Sequence, residues 1–426
     1  MAEARTFFVE TLGCPKNQVD SDKLVGTFLA DGMTAVDDVR RADLVVVNTC
    51  AFIEEARQES VDVVLGLADR KQLHAELVVT GCMAERYGDE LAAALPEVDA
   101  VTGFGVPITL GRKPGALSAV PSLDLLNLPR PPATAPWAYV KVAEGCDKVC
   151  GFCAIPSFRG PQRSRSREQV LTEVDQLVAG GVREVVLVAQ DLASYGRDQG
   201  QGTKDLVPLV EAVAARVDWV RLLYLYPSDL TDRLVDAVLA TGVPYFDLSL
   251  QHVSAPLVRR MRRWGDGHRF LDRISAIRAK ADGAAFRSNF IVGYPGETED
   301  DHDQLLAFVR EARVDWCGFF AYSREDGTHA AQLDGAVPRE LMDERLAELR
   351  ELQDGITAAR RDATVGEVVD VLVDAPGVAR SHREAPEIDG IITVPEHLDV
   401  GSIVPVQITG AEGPDSFATP LEVAVR

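Results

Sequence analysis

Six of the seven cysteines in this 426-residue chain fall into two sets whose placement points to metal chemistry. Cys146, Cys150 and Cys153 form a C-x3-C-x2-C run within one loop. Three thiolates hold three irons of a four-iron, four-sulfide (4Fe-4S) cluster and leave the fourth iron open to a non-protein ligand. Structural zinc is the competing reading, but such sites close with four ligands in C-x2-C pairs, and no fourth Cys or His stands nearby in the sequence. Cys14, Cys50 and Cys82 make the second set, as Gly13-Cys14, Thr49-Cys50 and Gly81-Cys82. Each follows a short apolar run and is expected just past the carboxyl end of a strand, the edge where open α/β sheets hold ligands. Three thiolates meeting there make a second three-cysteine site; the plain alternative is three small thiols packed in a core. Cys317 has no neighbours of ligand type and reads as packing. The seven histidines show no H-x3-H or H-E-x2-H pair, which leaves a zinc hydrolase without support. His252 reads as a structural histidine or as one facing a pocket.

The elements that must position these cysteines follow from apolar periodicity. Short apolar runs at Phe7–Leu12, Leu44–Asn48, Leu77–Thr80 and Val98–Val101 alternate with helix-spaced stretches at Asp20–Ala30, Ile53–Ala68 and Ala84–Leu95, the signature of a parallel α/β sheet. Prolines then cluster at Pro121, Pro129, Pro131, Pro132 and Pro136. A second series has strand candidates at Tyr139–Val142, Glu184–Gln190, Val220–Tyr226, Tyr245–Leu250, Phe286–Val292 and Gly318–Tyr322. Six strands alternating with helices suit a partial αβ barrel, and the C-x3-C-x2-C loop falls after its first strand, on the face where such barrels carry chemistry. After a charged helix from Arg339 to about Arg361 come β-rich runs at Glu367–Val373, Gly390–Val394, Ile403–Ile408 and Ala418–Val425, which read as a small β-barrel. The expected organisation is an open α/β domain over 1–120, a proline-rich linker over 121–136, a barrel core over 137–362 and a β-barrel over 363–426.

Acidic residues exceed basic ones by 66 to 44, a formal charge of −22 that repels bare nucleic acid and attracts basic protein. The start, Met-Ala-Glu-Ala-Arg-Thr, has neither a basic leader nor an apolar run, and no stretch is long enough to span a membrane, so a cytoplasmic protein without membrane partners is expected. In a reducing cytosol cysteines favour metal or catalysis over disulfides.

The C-x3-C-x2-C loop, with Phe152 before its last cysteine, resembles that of the radical S-adenosylmethionine (SAM) superfamily. The resemblance implies SAM chelated to the open iron, reductive cleavage to a 5'-deoxyadenosyl radical, and hydrogen abstraction from an unactivated carbon, with the protein supplying position. A second cluster, a radical SAM core and a terminal β-barrel together resemble the methylthiotransferases, whose last domain is called TRAM. Within that family, Leu12 to Asn17 with Val19-Asp20-Ser21, and Asn48 to Ala56, resemble the ribosomal branch more than the tRNA branch, as do Gln190-Asp191, Tyr195-Gly196, Tyr224 to Pro227 and Tyr322 to Thr328. The likeness implies that the cluster on Cys14, Cys50 and Cys82 carries sulfur. It also implies that the acceptor is the β-carbon of an aspartate in small-subunit ribosomal protein S-twelve, free or in the ribosome, with an electron donor such as flavodoxin or ferredoxin.

By position at strand ends, Gln190, Gln251 and Arg287 are expected to contact SAM. The stretch Phe290 to Glu297 resembles the superfamily's G-x-I-x-G-x-x-E pattern, with Asn289 in place of the first Gly and Glu297 one place late. From Thr364 to Arg426 there are eleven acidic residues against three arginines and no lysine, a net of about −8. Acids such as Glu384, Glu387 and Asp389 are therefore expected to meet a basic ribosomal protein and to disfavour tRNA. Against this stand Arg159, Arg163, Arg165, Arg167 and the run Arg259 to Arg263, which suit either ribosomal RNA or a solvated face. The rival readings are a tRNA (isopentenyl-adenosine) methylthiotransferase and, from another class, a non-enzymatic iron-sulfur carrier or redox sensor. Anaerobic reconstitution is expected to load about eight irons per chain, as two cubanes. Replacing Cys14, Cys50 and Cys82 together by Ala should remove about half, and an iron count that survives this change would rule out the N-terminal site.

Overall fold

The computed structural model describes residues 5–108, 124–199 and 206–421. Its first unit comprises β1 (Thr6–Thr11), α1 (Pro15–Ala30), β2 (Thr34–Ala35), β3 (Leu44–Thr49), α2 (Glu54–Arg70), β4 (Glu76–Gly81), α3 (Cys82–Ala94) and β5 (Ala100–Val101). The strands form one parallel sheet in the order β2-β1-β3-β4-β5. β3 is buried along its whole length, as its unbroken Leu-Val-Val-Val run requires of a strand covered on both faces. The two-residue β2 had no sequence signal. Two helices begin earlier than their periodicity indicates: α1 opens at Pro15 rather than Asp20, and α3 at Cys82 rather than Ala84. Pro15 takes a first-turn position, where its missing N–H and restricted φ suit helix initiation, so Cys14 stands as the extended N-cap.

The second unit runs β6 (Trp137–Lys141), β7 (Ala143–Glu144), α4 (Ile155–Arg159), β8 (Arg163–Ser164), α5 (Arg167–Ala179), β9 (Glu184–Val188), α6 (Leu206–Ala214), β10 (Trp219–Leu222), α7 (Asp232–Leu239), β11 (Tyr245–Gln251), α8 (Ala255–Arg260), α9 (Gly267–Lys280), β12 (Ala285–Val292), α10 (Glu299–Ala312) and β13 (Trp316–Ala321). Six parallel strands, β6-β9-β10 and β11-β12-β13, meet through a single bridge between Leu225 and Leu248 and form the expected partial αβ barrel. β9 and β10 end earlier than the apolar runs indicate, at Val188 and Leu222. Beyond β10 the chain turns at Tyr224, whose φ of 65° leaves the strand region. The main core lies between strands and outer helices and includes Val185, Leu187, Leu222, Phe246, Phe286 and Phe290.

The long helix α11 (Arg339–Asp362) leads to β14 (Val368–Ala375), β15 (Val378–Arg380), β16 (Ile392–Thr393), β17 (Ile403–Glu412) and β18 (Asp415–Pro420), a closed barrel in the order β14-β15-β16-β18-β17. β15 is additional to the expected strands. The last strand starts three residues before Ala418, and residues 422–425 of that expected run lie outside the described residues, as does Pro121.

This small barrel plugs the floor of the large one. Leu372 and Ala385 pack with Tyr139, Val186, Trp219, Tyr245, Ala285 and Trp316 of the lower lumen. Polar groups complete the seal: Tyr139 donates to the Pro386 carbonyl at 3.0 Å, Trp316 to the Arg383 carbonyl at 2.6 Å and Tyr245 to Asp389 at 2.6 Å. At the centre the fully buried Glu184 receives Arg221 at 2.7 Å and Arg380 at 2.8 Å. This corrects the expectation for two of the three acids. Glu384 is 1 % exposed and paired with Arg361, and the Asp389 side chain is fully buried against Arg287, so both hold the floor and neither meets a partner. Only Glu387 of that trio is exposed.

Among the described residues no helix is long and apolar enough to cross a membrane. Burial pushes the Glu184 pKa up, but Arg221 and Arg380 outweigh it and hold the carboxyl below its ordinary value. A depressed carboxylate stabilises the fold above its unfolded pKa and loses that contribution as pH falls through its folded value. Glu184→Gln, which takes the paired carboxylate from buried Arg221 and leaves Arg380 with Asp374 alone, is expected to lower stability by about 3–5 kcal/mol at neutral pH. It should also flatten the loss of stability on acidification. Urea midpoints at neutral and acid pH read both effects, and an unchanged neutral midpoint would refute the role of this cluster.

Candidate active site

The carboxyl edge of the N-terminal sheet faces the carboxyl-end rim of the barrel, and both cysteine sets lie in that seam. Cys14 follows β1, Cys50 follows β3 and Cys82 opens the helix after β4, three neighbouring parallel strands. A Cβ added at Gly13 would stand 2.9 Å from the Cys50 Cβ and 3.0 Å from its Sγ, which shows how closely the first two turns approach. Asn17 joins the strand ends: its amide donates to the carbonyls of Leu12 at 2.9 Å and Thr49 at 3.1 Å, while its Oδ1 lies 3.6 Å from the Cys82 Sγ. The Ser60 hydroxyl accepts from the Cys50 amide at 3.2 Å.

The C-x3-C-x2-C loop leaves β6 and is pinned from both sides. Gly151 donates to the Met261 carbonyl and accepts from the Ala330 amide, both at 2.8 Å. A Cβ on Gly151 would meet the Tyr294 hydroxyl at 2.7 Å. The Lys148 amide donates to the Cys146 Sγ at 3.4 Å, and Arg263 donates to the Cys150 Sγ at 3.0 Å. Tyr226 lies between Arg263, 4.3 Å above its ring, and Lys148, 4.1 Å away.

The thiol chemistry suits metal rather than free reactivity. Burial pushes Cys50 and Cys146 up to about 11 and Cys153 up to about 12. Cys14 differs: burial raises it, but Lys16, Arg159 and the amides of Asn17 and Lys16 bring it below its ordinary value. Metal binding must therefore release protons from most of the set. Each thiolate of a cubane binds a different iron, so its ligands need not close on one ion position, and among the described residues no three Cys, His, Asp or Glu side chains do. A cubane on three thiolates is anionic, and each set has a guanidinium on a sulfur: Arg263 on Cys150, and Arg159 on Cys82 at 3.0 Å. The donor sets and their charge surroundings fit 4Fe-4S groups.

Arg159 joins the two sets. It leaves the helix that follows Cys153, crosses the seam, and donates to Asn17 Oδ1 at 2.6 Å, to Asp20 at 3.2 Å and to Glu144 at 2.8 Å. Glu144, two residues before Cys146, also receives Lys141 at 2.6 Å and Gln190 at 2.6 Å. A second tie lies on the far rim: buried Glu325 receives Arg57 and Arg86 at 2.6 Å each, and Arg86 also donates to the Ala51 carbonyl beside Cys50 at 3.0 Å. Asn17, Asp20 and Glu325 fall in motifs noted in the sequence, but the ties that they make are legible only once the two edges are opposed.

The residues expected to contact SAM separate. Gln190 stands at the rim with its Oε1 buried and without a partner, and Gln251 ends β11 with a φ of 73°. Arg287 belongs elsewhere: one strand position above the floor, it pairs with Asp389 and donates to the Ile388 carbonyl at 3.2 Å, because the small barrel supplies the anion that its charge requires. Glu297 accepts from the amides of Gly293 at 2.5 Å and Tyr294 at 3.2 Å and from Arg345 at 3.0 Å, so it braces the loop after β12. His252 is buried, accepts from the Ser254 amide at 3.2 Å, and is held by burial down to about 4. Cys317 is half-buried against the main core, with its thiol pushed up by burial. The arginine runs split likewise: Arg165 pairs inward with Glu173 at 2.8 Å, whereas Arg163 is exposed. Gly13, at a φ of +97°, has no room for a side chain. Gly13→Ala is therefore expected to displace Cys50 and to cost about four irons, one cubane. Full iron loading of the folded variant would show that the site tolerates the shift.

Residues 6–103 match Uncharacterized protein family UPF0004, residues 140–309 the radical SAM superfamily and residues 365–420 the TRAM domain. Among curated relatives, ribosomal protein uS12 methylthiotransferase RimO of Cutibacterium acnes is 40% identical, covering 97% of this chain and 98% of its own length. The protein of the same name from Moorella thermoacetica is 43% identical over 94% of this chain and 96% of its own. Aquifex aeolicus RimO is 39% identical over 94% of each. Of solved structures, the radical SAM methyltransferase TsrM from Kitasatospora setae superposes with a TM-score of 0.53 at 14% identity over 94% of this chain and 84% of that one, a likeness of fold. With this likeness along nearly its full length, the chain belongs to the RimO family of radical SAM methylthiotransferases.

Proposed function

We propose that this enzyme transfers a methylthio group to the β-carbon of an aspartate in ribosomal protein uS12, using two 4Fe-4S clusters and SAM. The observation that carries the reading is the opposition of two three-cysteine sets across one seam, in a chain whose relatives bear that activity in their names. Cys146, Cys150 and Cys153 hold the SAM-binding cluster, and Cys14, Cys50 and Cys82 hold the other. When bound, the first would supply the electron for reductive cleavage of SAM, and the second would carry the sulfur. Arg263 and Arg159 offset the charge of the thiolates they touch, and Arg86 with Glu325 holds the Cys50 turn against the barrel rim. Gln190 and Gln251 stand where SAM is to be bound. The functional units are 1–120, 137–362 and 363–426, the first two joined by the proline-rich linker 121–136.

The acids of the small barrel support a basic acceptor, though of the three first expected only Glu387 takes part. Glu367, Asp370, Glu387, Glu396, Asp399 and Glu412 are exposed, and such a surface attracts a basic ribosomal protein and repels the phosphates of tRNA. The reaction is placed in the cytoplasm, with a flavodoxin or ferredoxin as electron donor.

Reconstituted enzyme given SAM, sulfide, reductant, uS12 and tRNA is expected to add one methylthio group, in place of a hydrogen, to uS12 alone. Cys150→Ala should abolish 5'-deoxyadenosine formation, whereas Cys50→Ala should spare it and stop sulfur transfer. Mass analysis of both acceptors decides: modified tRNA beside unmodified uS12 would overturn the acceptor, and loss of SAM cleavage in folded Cys50→Ala would overturn the division of roles.

A further inference from the structure

A lysine in the seam has no anion. Lys16, the second residue of α1 and two residues from Cys14, is only 8 % exposed. Among the described residues its ammonium has no hydrogen-bond acceptor and no carboxylate within ion-pair distance; its one close contact is the Tyr224 ring, 3.3 Å from Nζ to the centroid. A cation–π contact contributes up to about 2 kcal/mol when desolvated. Enclosing an ammonium costs several, so a lysine side chain held this far from water, with only a ring beneath its charge, is open to an anion.

What surrounds it says where the missing anion belongs. Asp247 lies beyond ion-pair reach: its Oδ2 accepts from the Tyr224 amide at 2.9 Å, and its buried Oδ1 has no partner. Tyr224 is a non-glycine residue with positive φ, as are Gln251 on β11 and Arg262 beside the Cys150 partner Arg263. Such strain persists where surrounding structure enforces it and clusters at ligand sites. Tyr224 and Tyr226 divide the rim between the cysteine sets: Lys16 stands on Tyr224 by Cys14, whereas Lys148 and Arg263 stand on Tyr226 by Cys150.

We propose that Lys16 is a substrate-recognition residue whose ammonium binds the side-chain carboxylate of the acceptor aspartate, placing its β-carbon between the two cysteine sets. The proposal rests on the aspartate acceptor proposed above. Another carboxylate is present in the reaction, that of SAM, but the SAM site proposed above lies on the Cys150 side, where Arg263 supplies positive charge and Lys148 is already paired with Asp229 at 2.9 Å and Asp191 at 3.6 Å. Lys16 lies on the sulfur-carrying side, which the acceptor must reach to receive the group.

The test uses reconstituted holoenzyme, native and as Lys16→Met and Lys16→Arg, with uS12 and with uS12 whose acceptor aspartate is replaced by Asn. Iron content and the midpoint potentials of both clusters are read alongside. A charge-assisted hydrogen bond is worth on the order of ten- to hundredfold in binding, so Lys16→Met is expected to raise the KM for uS12 by that factor. The KM for SAM and both potentials should hold, Lys16→Arg should recover most of the loss, and Lys16→Met should also lose the native preference for Asp over Asn. An unchanged KM for uS12 with a shifted potential of the N-terminal cluster would make Lys16 a charge partner of that cluster and overturn the inference. A raised KM for SAM with an unchanged KM for uS12 would assign Lys16 to the SAM carboxylate and overturn it equally. If the native enzyme leaves uS12 unmodified, the acceptor reading itself fails, and this inference with it.

Discussion

A guanidinium enclosed as deeply as that of Arg159 must be met by acceptors on every side. The acceptors it finds come from two separate sheets. Asn17, Asp20 and Cys82 belong to the N-terminal unit and Glu144 to the barrel, so the side chain satisfies its charge only while the two carboxyl edges are opposed. Lys141, fully enclosed between Asp20 and Glu144, repeats the condition one step deeper. Docking of the two units and facing of the two cysteine sets are thus one physical event.

The chain order makes this economical. α4 begins two residues after Cys153 and ends on Arg159, so the loop that holds one set also sends out the arm that touches the other. On the opposite rim Glu325 repeats the device with reversed polarity, a single carboxylate between two N-terminal arginines. The two ties bracket the seam, and displacing one unit would leave buried charge unmatched at both.

Much of this was legible in the sequence for a reason that can be named. Strand edges announce themselves through apolar runs that stop at Gly-Cys or Thr-Cys, and a three-cysteine loop has few alternative uses, so the six cysteines and the layer order followed from local pattern. Charge did not follow so readily. A count over the last 63 residues treats Glu384 and Glu387 alike, whereas the fold buries the first on Arg361 and leaves the second in water. Arg287 misled for the same cause: its strand position was readable, but its anion, Asp389, lies 102 residues away. Arg159 carries no motif of its own, and Lys16, though it lies in the Leu12-to-Asn17 motif, shows no role there; both become informative only through what stands, or fails to stand, beside them.

The sealed floor sets a ruler for the acceptor. The small barrel meets the large one at the amino ends of its strands, while both cysteine sets lie beyond the carboxyl ends, and β6 and β9 between them are five residues long. At about 3.3 Å per residue, anchor and chemistry are separated by roughly 16 Å of wall. A protein that grips the small barrel and delivers a side chain to the seam has to overhang that height. A tapering, protruding loop meets the requirement, whereas a flat surface laid against the barrel would stop short of the rim.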